Sequence, residues 1–126
     1  ANKSVIAVID FSKRSSERRL FIIDMKTGAV WAMPTAHGKG SDPDGDGYAQ
    51  YFSNVSGSNA SSLGFYRGAE TYIGSNGLSL RMDGLSATNS NARSRAIVIH
   101  GADYVRDEKV IQGRSWGCPA VPHPYV

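Results

Sequence analysis

The chain has 126 residues, 40% hydrophobic and 20% charged, with 14 Lys and Arg against 11 Asp and Glu for a net charge of +3. These values fit a single domain that folds in water, residues 1–126, and exclude the disordered and membrane classes. The basic residues are scattered except in "SKRSSERRL" at 12–20. That run lacks the interleaved aromatics of a nucleic-acid stripe and reads as a solvated strand edge, so no nucleic-acid partner is expected.

Seven short β-rich segments are predicted in chain order: 4–10, 18–25, 28–36, 63–67, 70–74, 78–84 and 95–101. Each is bounded by turn residues, and their length and spacing favour a mainly β sandwich or barrel with little helix. Thr27-Gly28 and Asn76-Gly77 supply the positive-φ residues of hairpin turns, so strands adjacent in sequence are expected to pair antiparallel. The stretch from Gly38 to Ser62 is rich in Gly, Ser, Asn and Asp and reads as a long irregular loop. Pro119 suits a first helical turn, so a short helix is expected near Cys118. No apolar run approaches the roughly 18 residues of a membrane span. The first ten residues do not have the form of a signal peptide, which leaves a trimmed mature chain or a cytosolic one.

One cysteine excludes an internal disulfide and a Cys-based zinc cluster. A thiol with its free pKa of about 8.5 is mostly protonated at neutral pH and needs a base or oriented N–H dipoles to act as a nucleophile. In "GRSWGCPAV", Gly117 allows a sharp turn beside Cys118, from which the N–H groups of Gly117 and Cys118 can face a developing oxyanion. In "IVIHGADYV", His100 ends a β-branched run where Gly101 opens the chain, a place from which an imidazole reaches a loop. Without further context, a lone cysteine is more readily a small buried apolar residue, and a strand-end histidine a packing one.

Fourteen residues, Gly101 to Arg114, separate His100 from Ser115. This spacing, with the His-Gly and Ser-x-Gly-Cys motifs, resembles the signature of the murein L,D-transpeptidase catalytic domains of YkuD-like fold. The upstream "RLFIIDMKTGAV", "AHGKGS", "SNVSGSNASSLGFY", "GAETYIG" and "LSLRMDGL" resemble the subfamily with a Ser-Trp-Gly-Cys motif. Two positions depart from the broader pattern: Trp116 stands where a second His is common, and Ala120 where Asn or Arg is common. A closing helix and strand of the family are expected to be missing after Val126.

The resemblance implies acyl transfer on peptidoglycan stem peptides. Cys118 would be the nucleophile and His100 its base, terminal D-alanine would leave, and the product would be a crosslink or a trimmed peptide. It also implies a periplasmic or cell-envelope location, and carbapenems as inhibitors. No metal or organic cofactor is expected. Gly101 would keep the surroundings of His100 open, Ser115 would fix the loop or bond substrate, and Trp116 would form an apolar wall. Arg114 is either a carboxylate clamp or a surface ion pair. Tyr66 and Tyr72 line the cleft or pack the sheet, and His123 is a loop residue. His37, at a strand-to-loop junction, is a pocket residue or a packing one. Asp42, Asp44, Asp46 and Gly47 occupy the first, third, fifth and sixth places of a calcium loop, but the twelfth is Ser53, so an Asx-turn loop is favoured. A different cysteine peptidase or amidase, and a noncatalytic wall-binding module, are the competing readings.

Overall fold

Six strands form where β-branched and aromatic residues run between turn-forming ones. In the computed structural model, which describes residues 5–123, they are β1 (Val5–Ile9), β2 (Leu20–Asp24), β3 (Val30–Met33), β4 (Tyr66–Gly74), β5 (Gly77–Gly84) and β6 (Val98–His100). They build two three-stranded antiparallel sheets, β1-β2-β3 and β4-β5-β6. The expected hairpins are present, with Gly28 and Gly77 at φ of 76° and 87°. Between the strands, 3-10 turns form at Lys39–Ser41 and Ala87–Asn89.

Two differences from the sequence reading have physical causes. The segments 63–67 and 70–74 are parts of one strand, β4. Between Gly68 and Thr71 the pairing with β5 slips by one residue, and this bulge breaks the period-2 alternation that marks a continuous strand. The helix expected near Pro119 is absent. The chain there stays extended because Val121 pairs in parallel with Gly101 and exchanges backbone bonds with His100 and Ala102.

Val121 also ties the two sheets together. On β2, Leu20 pairs with Ile9 on one side and Met33 on the other, so all three face the same way and enclose Val121. Ile99 of β6 packs against this cluster and against a second one of Met82, Ala92 and Ile97. Burying each of the larger aliphatic side chains in these clusters contributes about 1.5–3 kcal/mol. The chain that carries Cys118 is thus held three residues downstream by a core residue, and the sulfur itself rests against the second cluster.

Candidate active site

The turn around Cys118 is built by Ser115. Its hydroxyl donates to the Cys118 carbonyl at 2.6 Å and accepts from the Gly117 N–H at 3.2 Å, which closes residues 115–118 on themselves. Ser115 is in turn anchored to the long loop: its N–H donates to the His37 carbonyl at 3.0 Å, and the Lys39 N–H donates to its own carbonyl at 2.6 Å. Gly117 sits at φ 119°, and a Cβ there would come within 2.7 Å of the Ala60 carbonyl oxygen and 2.9 Å of Ile97 Cδ1. No other residue fits that conformation and that gap.

The sulfur lies at the open edge of β6. It accepts the Val98 N–H at 3.5 Å, and its own proton is directed at the Ala96 carbonyl 3.6 Å away. Burial pushes the thiol above its ordinary range, against the opposing pull of the Val98 N–H and the Arg95 guanidinium. At rest the group is a thiol, so a base must remove its proton during the reaction.

His100 is two residues along the same strand from Val98, about 6.6 Å of rise. Its Nδ1 lies 2.9 Å from the Gly101 carbonyl. A carbonyl only accepts, so Nδ1 carries the proton and Nε2 presents a lone pair. Nε2 has no partner among the described residues, and no fully buried side-chain nitrogen or oxygen among them is left unpaired. Although the residue is only 5% exposed, this atom therefore reaches the surface. No hydrogen bond joins the ring to the sulfur. His100 is the last residue of β6, and the thiol meets that strand at the Val98 N–H and is turned toward the Ala96 carbonyl.

The expected oxyanion donors need one correction. The Gly117 N–H is committed to Ser115, so Gly117 shapes the turn and does not serve as a donor. Among the described residues the N–H groups of Trp116 and Cys118 carry no hydrogen bond, and these two remain available. The Trp116 indole, 78% exposed, stands out from the turn.

His37 and Arg114 belong elsewhere. His37 is 1% exposed, and Arg19, which only donates, approaches its Nδ1 at 2.8 Å. Nε2 must then hold the ring proton, which it donates to Asp42 at 3.0 Å. With both nitrogens engaged and no accessible surface, this ring has nothing to offer a substrate, which corrects the pocket reading. Burial holds its pKa below the ordinary imidazole value, with Arg19 and Arg114 adding to the effect against the pull of Asp42. Arg19, read as part of a solvated edge, is wholly buried, bonded to the Thr35 and Lys13 carbonyls, and its pKa is lowered by burial to about 10.

The Asp42 carboxylate takes N–H donors from Gly45, Asp46 and Gly47 besides His37. Its four lone-pair sites are filled, so the first position of the calcium pattern turns inward as an Asx turn. Among the described residues no three His, Cys, Asp or Glu side chains gather as a metal site requires. Arg114 donates from one terminal nitrogen to the Asp42 carbonyl at 2.6 Å and the Pro43 carbonyl at 3.2 Å, which straps the loop. Tyr66 is bonded to Ser62, and His123 pairs with Asp103 on the surface.

Sequence reasoning missed Arg95. It donates to the Ser53 and Ala60 carbonyls and to Ser58 Oγ, which fixes the loop that Gly117 packs against, and its charge acts on the thiol. Nothing local in "NARSRAIV" marks it, because its partners lie 35 to 42 residues away. The whole chain, residues 1–126, matches the family described as L,D-transpeptidase catalytic domain, YkuD_2, and it belongs to that family of transpeptidases. No curated protein and no solved structure matches it. Among the described residues no helix is long and apolar enough to cross a membrane.

Proposed function

We propose that this chain is a peptidoglycan L,D-transpeptidase that works by cysteine acyl transfer, with Cys118 as nucleophile and His100 as base. The observation that carries the reading is the His100 tautomer: Nδ1–H is held by Gly101, and Nε2 keeps an open lone pair two residues along β6 from the Val98 N–H that touches the sulfur. Family membership supports the substrate class, the stem peptides of the wall, and with it a site of action outside the cytoplasm.

In the reaction, rotation of the Cys118 side chain takes the thiol from the Ala96 carbonyl toward His100 Nε2, which accepts its proton. Such hydrogen bonds commonly tighten only once substrate is bound. The thiolate attacks the carbonyl of the donor's third residue, a diamino acid. The N–H groups of Trp116 and Cys118 hold the oxyanion, each donor being worth about 3 kcal/mol. Collapse breaks the peptide bond, and protonated His100 gives its proton to the departing D-alanine amine, leaving a thioester on Cys118. His100 then deprotonates the amine of a second stem, which forms the crosslink, or a water, which trims the stem. No cofactor takes part in these steps.

Mass spectrometry after incubation with a defined tetrapeptide donor and excess acceptor tests the reading. A thioacyl adduct on Cys118 with loss of D-alanine is expected. Adduct on another residue, or none while the protein still binds isolated sacculi, would instead favour another cysteine enzyme or a noncatalytic wall-binding module. Carbapenems, whose strained lactam offers an acyl group to the same thiolate, are expected to acylate Cys118.

A further inference from the structure

The basic run 12–20 is not the solvated strand edge that its charges suggest. Only Leu20 enters β2, and residues 11–19 form turns in which the Lys13 N–H donates to the Asp10 carbonyl and the Glu17 N–H to the Arg14 carbonyl. Ser15, 1% exposed, ties this loop to two others: its N–H donates to the Gly47 carbonyl at 2.7 Å, and its hydroxyl accepts the Gln112 N–H at 3.0 Å. Where the three segments meet, Lys13, Arg14, Glu17, Tyr48, Lys109 and two serines line a cavity of about 460 Å³. Neither Cys118 nor His100 lines it.

Three cations share this cavity with one carboxylate. The Arg14 Nε donates to the Asp46 carbonyl at 2.8 Å and the guanidinium lies 5.8 Å over the Tyr48 ring, which fixes its direction and leaves both terminal nitrogens without a partner among the described residues. The Lys13 ammonium rests 5.2 Å over the Phe21 ring and is in no ion pair among the described residues. Lys109 meets Glu17 only at 3.7 Å, with its side chain 80% exposed. The neighbouring Asp10 carboxylate accepts the Ser12 N–H and hydroxyl and does not line the cavity. Pockets for neutral small molecules are mostly apolar, whereas walls of ammonium, guanidinium and hydroxyl groups suit a hydrated anion held by charge.

We propose that this cavity is a second contact with the cell wall, and that it binds carboxylates of stem peptides other than the one reacting at Cys118. The proposal rests on the L,D-transpeptidase reading and deepens it. Exposed charge pairs are weak singly. Peptidoglycan carries carboxylates on stem after stem of one polymer, so a weak second contact acts at a high effective concentration and retains the enzyme on its substrate. A single soluble stem peptide gains nothing from it.

The test measures sedimentation with sacculi freed of phosphodiester polymers, all proteins carrying Cys118→Ala so that no turnover intervenes. Adding Lys13→Gln and Lys109→Gln is expected to weaken binding about 3- to 30-fold, an effect that fades at high salt. Lys26→Glu, which changes the net charge by the same two units in the β2–β3 turn, should weaken it far less. Sacculi whose carboxyl groups have been amidated should bind the Cys118→Ala and the triply substituted proteins equally poorly. Without Cys118→Ala, the two lysine substitutions should leave kcat/KM for a soluble tetrapeptide donor unchanged. Equal binding with and without the two lysines, an equal loss with Lys26→Glu, a difference that persists on amidated sacculi, or a parallel fall in kcat/KM would each overturn the assignment. If the unmodified chain turns over no donor at all, the parent reading has failed, while the binding comparison still decides the site.

Discussion

Two histidines, each next to a glycine and each at the end of a β-rich run, have opposite fates in this protein. His37 is closed: Arg19 fills one ring nitrogen, Asp42 the other, and Asp42 is itself saturated by backbone donors. His100 is half open, with one nitrogen spent on Gly101 and the other presented beside a cysteine-bearing edge. A polar group with all its valences satisfied inside the protein holds structure together, while one with a valence left over can act on something else. The two sites are nevertheless connected, because the His37 carbonyl accepts the Ser115 N–H and so anchors the turn that carries Cys118.

The sharpest break in this contrast comes at the open site. Cys118→Ala and Cys118→Ser are both expected to remove all measurable turnover while circular dichroism and the melting temperature stay close to those of the unmodified chain. A serine hydroxyl beside the same base is far less ionised than the thiol. Full activity in either variant would end the nucleophile assignment. Next in size, His100→Ala should slow carbapenem acylation of Cys118 by about 10²- to 10⁴-fold, the range for a positioned general base, read from the time course of adduct mass. Acylation that proceeds unchanged would refute the pairing.

The closed site should respond in stability and not in chemistry. Arg19→Met removes the buried cation bonded to His37 and to the Thr35 and Lys13 carbonyls and leaves those acceptors unpaired, and urea unfolding is expected to register a loss of about 1–3 kcal/mol. A loss under 1 kcal/mol would mean the network is ornamental. The same network gives a pH dependence with a defined sign. The His37 pKa is lowered in the folded state, so its contribution is complete above the ordinary value of 6.5 and is lost as the pH falls below it through the folded value. Asp42 is raised by burial but lowered further by its donors from His37, Gly47 and Asp46, so its contribution is lost in turn below 3.8. Urea midpoints should therefore fall on acidification from neutral pH, and His37→Gln should flatten the upper part of that fall. The smallest expected effect belongs to Arg95→Met. Removing this cation disfavours the thiolate, so the pH profile of Cys118 alkylation by iodoacetamide should move to higher pH. A shift in the other direction would show that Arg95 acts only by holding the 53–60 loop.

The sequence by itself determined the strands, the hairpins and the His-Gly and Ser-x-Gly-Cys motifs, because these depend on neighbours within a few residues: alternation, turn chemistry, a glycine beside a cysteine. It misread β4 as two strands only because the bulge at Gly68–Thr71 disrupts that local alternation. Tertiary structure alone decided which polar groups are satisfied. Arg19 meets His37 across 18 residues, Arg114 meets Asp42 across 72, and Ser15 meets Gln112 across 97. Whether a histidine or an arginine keeps a free valence is settled by partners brought in from distant parts of the chain, and no spacing rule along the sequence carries that information.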